Sequence, residues 1–590
     1  MTQPFRTPAG GRIDRAQPLD FSFDGRTWSG YRGDTLASAL LANGVHLVAR
    51  SFKYHRPRGI LSAGAEEPNA LVQLGRGART EPNLRATQIE LYAGLCAASQ
   101  NRWPSLRFDL GAVSGRLSAL LPAGFYYKTF MRPAGWWPGY EGLIRRAAGV
   151  GRAPGLPDPD RYDARHEHCD VLVVGGGPAG LSAALAAGRS GARVMVADEQ
   201  LEFGGQLLDE RGDDGTVPFA GTALAELASL PRVRLLTRTT IAGYYDHNFL
   251  VGVERVTDHL GPGPHGATPR QRLWKIRARQ VVLATGALER PLVFADNDRP
   301  GIMLAGAVRA YLNRFGVRCG TRAVVVAGTD EACRSALDLA DAGIDVAAVV
   351  RLRGAADERL AQALRGRGIE LLDSPRVIAA VGTKRVEALA VAASEGGPVR
   401  EIACDLVCMS AGWAPNVSLF SQSRGTLRYD AALAAYVPGR SAQAERSAGA
   451  CAGALTLAQC LNGGYAAGAD AARAAGFAVD RGEPHPGGVA PRAPGDAPPQ
   501  APDRYARPGR SFVDFYNDVT VADVELAARE GYAAVEHLKR YTTLGMGPDQ
   551  GKTANLNALA LLAGLRGVGI PELGHTTFRP PYTPITLGAI

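Results

Sequence analysis

Three glycines in VLVVGGGPAG, Gly175, Gly177 and Gly180, stand between an apolar run and the helical stretch LSAALAAGRSG. Glycines so spaced allow a tight turn and close backbone approach, and the helix N-terminus then meets a pyrophosphate. The next apolar run, VMVA, ends in Asp198 and Glu199 about 20 residues on, where a carboxylate takes the hydroxyls of an adenosine ribose. Strand, glycines, helix, strand and acid in register predict a dinucleotide site. A 2′-phosphate would meet two carboxylates there, which favours NAD over NADP.

The chemistry around that turn is thin. Cys404 and Cys408 in EIACDLVCMS read as buried strand residues, and Cys451 and Cys460 as core residues flanking a short helix. No redox CxxC pair, no metal-ligand constellation and no serine or cysteine triad stands out, so neither a catalytic residue nor a metal ligand is expected in this chain. FGGQ, Phe203 to Gln206, and VVLATGALERP are similar in order to thioredoxin- and glutathione-reductase-like enzymes. That resemblance implies FAD in the first module and NAD(P)H in an inserted second one. The residues depart from it twice. The second turn reads AGTDEA, Ala327 to Ala332, and keeps one glycine, so an intact nicotinamide site is not expected there. In ERSAGACAGALTLAQ, Ala450 stands where such folds place the aspartate that holds a flavin ribityl chain. The first site therefore suits NAD better than FAD.

These elements sit in a chain of 590 residues, too long for one core, so several domains are expected. There is no secretory h-region and no run of about 20 apolar residues that would span a membrane. Eight cysteines outside any tight framework read as reduced, cytoplasmic thiols. A net charge of +9 is scattered, without a nucleic-acid signature, so neither nucleic acid nor membrane is an expected partner. Only six of the 66 basic residues are lysine, which draws attention to Lys539 and Lys552 beside glycine-rich turns.

Along the chain, PLDFSFDGRTW alternates like a strand and DTLASALLANG reads as a short helix capped by Asp34. The segment after Ala97 is aromatic-rich and irregular, suited to packing against a neighbouring domain or subunit. The first strong β-α-β pattern begins at Cys169, and the second, TRAVVVAGTDEACRSALDLADAGIDVAAVVRLR, near Thr321. A coreless linker runs between Asp480 and Arg507, and helices broken by a glycine-rich turn follow it.

Three further stretches are specific: SFKYHRPRGILSAGAEEPNALVQL; SQNRWPSLRFDLGAV with PAGFYYKTFM; and NDVT followed by EHLKRYTTLGMGPDQGKT. Together they resemble the alpha-subunit family of heterotetrameric sarcosine oxidases, from about Arg12 to the last residue. The resemblance implies a noncatalytic NAD in the first site, held at Ala179, Asp198, Glu199, Gln200 and Gln206, with looser placement at Ile241, Ala450 and Leu455. It implies beta, gamma and delta partner subunits, FAD and the amine-oxidising site in beta, and FMN at the alpha–beta interface. Lys552 is the expected FMN contact, with Lys539, Arg540 and Thr542 or Thr543. The implied reaction converts sarcosine to glycine and hydrogen peroxide, coupled to tetrahydrofolate in the full complex. The alpha subunit of an amino-acid or opine (hydroxyproline-type) dehydrogenase, or a noncatalytic assembly scaffold, accounts for the same residues.

The expected fold class is α/β: a two-dinucleotide-binding, Rossmann-like, FAD/NAD(P)-binding type of fold with an N-terminal ferredoxin-like β-grasp domain and a small C-terminal helical domain. The expected divisions begin with a cysteine-less [2Fe–2S] ferredoxin-like domain at 12–100 and an aromatic-rich connector at 101–165. The NAD-binding fold follows at 166–480, its degenerate second module at about 318–400. After a linker at 481–508, 509–566 resembles a second cluster domain, with Asp514, Tyr516, Asp549 and Ala554 at its ligand positions. Residues 567–590 read as the start of a folate-binding domain that is truncated, encoded apart or lost.

Overall fold

The computed structural model describes residues 3–115, 121–125, 128, 132–211, 217–263, 265–352, 357–394, 396–479 and 509–590. The linker expected at 481–508 lies outside the described residues. The chain divides into two compact units, Met1–Pro159 with Glu289–Ala411 and Ala497–Thr576, and Asp160–Leu288 with Gly412–Asp496 and Thr577–Ile590.

The first unit opens with a β-grasp. Its mixed five-stranded sheet runs Arg26–Arg32, Asp14–Phe23, Cys96–Ser99, Leu71–Leu74, Glu81–Arg85. Asp24 and Gly25, with φ of 49° and 77°, turn the first two strands into a hairpin. The helix Leu36–Ala42 is buried at all seven positions. Its N-cap is Thr35, not Asp34: Thr35 forms a reciprocal capping box with Ser38. Asp34 is drawn elsewhere, accepting from Ser38 Oγ at 2.6 Å, Tyr31 N at 2.9 Å and the Arg6 guanidinium at 2.6 and 3.0 Å. The aromatic segment is less irregular than its composition implies, since Trp137–Ala148 forms a helix closed by left-handed Gly149.

The same unit holds an all-parallel sheet ordered Ile302–Leu304, Leu406–Ser410, Arg322–Ala327, Asp345–Arg351, Glu370–Asp373. AVVVA in its middle strand is buried throughout, as a strand covered on both faces requires. The helices Val521–Arg529, Val535–Thr542 and Asn555–Arg566 close around Val524, Leu538, Ala558 and Leu562. NDVT explains how this part begins: Thr520 caps the first of these helices in a box with Asp523. Asp518 of the same motif accepts the amides of Lys53 and Tyr54 at 2.8 and 2.9 Å and pairs with the buried Arg58. Two of the specific stretches, KYHRPRG and NDVT, are therefore each other's partners.

The second unit centres on a seven-stranded sheet ordered Val233–Leu236, Val194–Ala197, Tyr162–Val174, Gln271–Leu283, Phe249–Arg255, Thr239–Tyr245, with Glu445–Ser447 also paired to Gln271–Leu283. The strand leading to the glycine turn starts at Tyr162, seven residues before the pattern at Cys169. Its first half, YDARHEH, is polar and largely outside the core, so only Cys169–Val174 carries the apolar signal. Behind the sheet the helices Pro178–Arg189 and Leu457–Ala474 press together at glycines. A Cβ on Gly464 would lie 2.2 Å from Ala179 O, and one on Gly468 2.1 Å from Ala183 O. The expected fold class stands: α/β with a dinucleotide-binding fold, a β-grasp before it and a helical domain after it.

Candidate functional site

The glycine turn is built by steric necessity. Gly175 has φ of 102°, and a Cβ there would fall 2.2 Å from Ala284 O. Gly180, one turn into the helix Pro178–Arg189, passes Gly175 O so closely that a Cβ would lie 1.9 Å from it. Gly177 differs, for the nearest atom to its Cβ position is 3.9 Å away. It is the N-cap, no side chain caps the helix, and no acid lies in its first turn. The helix start at Gly177 therefore presents amides without a side-chain cap and the positive end of the helix dipole, an arrangement suited to an anion.

Asp198 fastens the turn. Its Oδ2 accepts from Gly176 N at 2.6 Å and its Oδ1 from Gln200 N at 2.7 Å. Glu199 follows, half-buried, with its carbonyl held by the Arg255 guanidinium at 2.7 Å. Gly204 N donates to Gly176 O at 2.8 Å, which brings FGGQ against the glycines and leaves the Gln206 side chain exposed. Thr239 N donates to Asp198 O at 2.7 Å and places buried Ile241 two residues further along that strand. Ala450 lies in the turn Gly449–Ala452, where a Cβ on Gly449 would approach Ala179 Cβ at 2.6 Å. Leu455 is buried just before Thr456, which caps the helix Leu457–Ala474. Eleven of the twelve expected site residues thus lie in the second unit. Lys552 belongs to the first, its Nζ donating to Asp549 O at 3.3 Å. Of its expected companions, Thr542 and Thr543 turn their hydroxyls to the carbonyls of Leu538 and Thr542.

The second β-α-β module is organised differently at the same point. Thr329 caps the helix Asp330–Asp341, whose first turn carries Asp330 and Glu331. Arg351, at the end of the following strand, reaches Asp330 at 3.0 Å. A pyrophosphate at this helix start would meet two carboxylates.

The cysteines are free thiols, seven of the eight buried. Burial pushes Cys169, Cys333 and Cys404 up to about 12 and Cys460 to about 11, so all four are protonated and poor nucleophiles. Cys408 lies in the strand Leu406–Ser410, whereas Cys404 lies in the turn before it. Cys451 and Cys460 do not flank a short helix: one is inside the turn Gly449–Ala452, the other inside the 18-residue helix Leu457–Ala474.

One cluster was only half visible in the sequence. Asp514 and Asp549 are fully buried near one another, and Tyr516 stands beside them, with burial pushing its hydroxyl to about 12. Asp514 accepts from Asn517 N at 2.8 Å and Gly545 N at 2.7 Å. Burial first, then the Asp549 charge, hold Asp514 above the usual carboxylate range; burial likewise raises Asp549 against the pull of Lys552 and Arg85. No described helix is long and apolar enough to cross a membrane.

Three families match parts of this chain. Residues 16–102 match the 2Fe-2S iron-sulfur cluster binding domain, residues 169–439 the pyridine nucleotide-disulphide oxidoreductases, and residues 508–590 the sarcosine oxidase A3 domain. The sarcosine oxidase subunit alpha of Rhizobium meliloti is 49% identical over 99% of the chain and 59% of its own length. That of Corynebacterium sp. strain P-1 is 40% identical over 99% of the chain and 58% of its own length. The chain thus spans somewhat under three-fifths of these relatives. Among solved structures, an L-proline dehydrogenase from P. horikoshii shares the fold at a TM-score of 0.69 and 19% identity, over 100% of this chain and 99% of that one.

Proposed function

Over 99% of its length the chain belongs to the family of sarcosine oxidase alpha subunits, and from that premise we propose that it is the nucleotide-holding, noncatalytic subunit of a multisubunit, flavin-dependent sarcosine oxidase. The observation that carries the reading is the contrast between the two helix starts. The first is uncapped and free of acid beyond Gly177. The second bears Asp330 and Glu331 and is joined to Arg351. In this reading the chain keeps one dinucleotide site, and the dinucleotide is NAD.

The pyrophosphate lies over Gly175, Gly177 and Gly180, near Ala179. Asp198 and Glu199 serve the adenosine ribose, with Gln200, Gln206, Ile241, Ala450 and Leu455 lining the pocket. Ala450 gives a flavin ribityl chain no carboxylate. NAD could supply hydride chemistry, but the buried, protonated thiols of the second unit offer it no reactive partner among the described residues. FAD and sarcosine oxidation belong to the beta subunit, and FMN to the alpha–beta interface beside Lys552. Gamma and delta subunits complete the complex, in which oxidation is coupled to tetrahydrofolate. The proposed divisions of the chain are those set out from the sequence.

The test is to purify the chain with and without its beta partner and assay sarcosine oxidation. Turnover is expected only with beta, and turnover by a verified beta-free preparation overturns the reading. Oxidation of proline, hydroxyproline or an opine in place of sarcosine would move the chain to the amino-acid dehydrogenase alternative.

A further inference from the structure

Residues 16–102 match a family that binds a [2Fe–2S] cluster, yet that stretch contains a single cysteine, Cys96. Four thiolates hold such a cluster. The cluster does not fit these residues, and within the same stretch the loop from Ile60 to Ala70 is closed by a carboxylate.

Glu67 is wholly buried at the centre of that loop. Its Oε2 accepts from Leu61 N at 2.9 Å and Ser62 N at 2.7 Å, with Ser62 Oγ at 3.3 Å. Its Oε1 accepts from Asn69 N at 2.8 Å and Ala70 N at 2.9 Å. Four backbone amides from both arms of the loop thus converge on one carboxylate. Two loop carbonyls are held by side chains outside the loop: Tyr311 Oη donates to Ser62 O at 2.9 Å and Thr87 Oγ1 to Gly64 O at 2.7 Å.

We propose that this loop is an anion cradle occupied by the chain's own Glu67, whose carboxylate supplies the acceptor that an anionic cluster would otherwise give to the loop amides. A cluster-binding loop needs an acceptor at its centre, because amides left unpaired inside a protein are costly. Thiolates and cluster sulfurs meet that need in an iron–sulfur protein; a carboxylate with two oxygens and about four lone-pair sites meets it here. The β-grasp keeps its loop without metal, and nothing can enter the cradle unless Glu67 leaves it.

The loop can be tested in the full chain. In wild type, amide hydrogen exchange at Leu61, Ser62, Asn69 and Ala70 should be slow; exchange at the rates of an open loop overturns the proposal. Glu67→Gln keeps the shape but turns an amide NH2 towards two N–H donors, so its melting midpoint should fall by about 5 °C or more. Glu67→Ala should fall similarly and recover, saturably, with added formate but not with equimolar chloride. A Glu67→Gln midpoint equal to wild type, or a Glu67→Ala variant that folds but ignores formate, contradicts the cradle. If Glu67→Ala fails to fold, amide exchange and Glu67→Gln still decide. Stoichiometric iron and acid-labile sulfide in the isolated chain would also overturn it.

Discussion

Asp198 holds the glycine turn and, in the proposed function, also serves the adenosine ribose. Two of its lone-pair sites are taken by Gly176 N and Gln200 N, which hold the glycine turn against the strand end. Asp198→Asn removes the charge and sets an NH2 against one of the two amides. Charge-assisted bonds contribute about 1.5–3 kcal/mol, so affinity for NAD should drop by tenfold or more. NAD content after gel filtration measures it, and retention equal to wild type would contradict the assigned role. The buried pair Asp514 and Asp549 makes a pH prediction. Both carboxyls are raised in the folded chain, which therefore binds protons that an unfolded chain releases near pH 4. Their stabilising contribution is full below about pH 4 and is lost as pH rises through about 7, the value to which Asp514 is pushed. Asp549→Asn should flatten that part of the stability–pH curve. Parallel curves for variant and wild type from pH 4 to 8 would show that the pair is not coupled.

Among the elements, the close pair of helices offers the plainest test. Gly464→Ala or Gly468→Ala inserts a Cβ within 2.2 Å of a backbone oxygen of Pro178–Arg189. Each should cost about 1–3 kcal/mol by denaturant unfolding and loosen nucleotide binding, because that helix carries the turn. A neutral result would mean the helices stand further apart. Buried Arg58 is shared between Asp518 and Asp298, so Asp518→Asn removes one of its two carboxylates and should cost about 1.5–3 kcal/mol. What could be read from sequence at this scale follows from locality. The glycine turn is legible because its glycines lie within six positions of one another, and VLVV and VMVA are legible because both faces are buried. The cap at Thr35 is obscured by Asp34, whose partner Arg6 lies 28 residues upstream. Trp137–Ala148, WPGYEGLIRRAA, lacks a helix signature because two glycines and a proline lie within it. The Glu67 loop leaves no trace, since its partners are backbone amides and those carry no residue identity.

At the scale of the molecule, the proposed function leaves one dinucleotide site, in the module that opens at Gly175. Gly177 stands before an uncapped helix, the second module's helix start is filled by Asp330 and Arg351, and the β-grasp loop closes on Glu67. In the proposed function this chain holds and positions a nucleotide, and redox chemistry falls to partner subunits. The decisive measurement is mass spectrometry of the nucleotides released from the isolated chain and from the complex while it oxidises sarcosine. The account predicts one NAD per chain in both, still oxidised during turnover. FAD released from the isolated chain, or NADH accumulating with substrate, would contradict it.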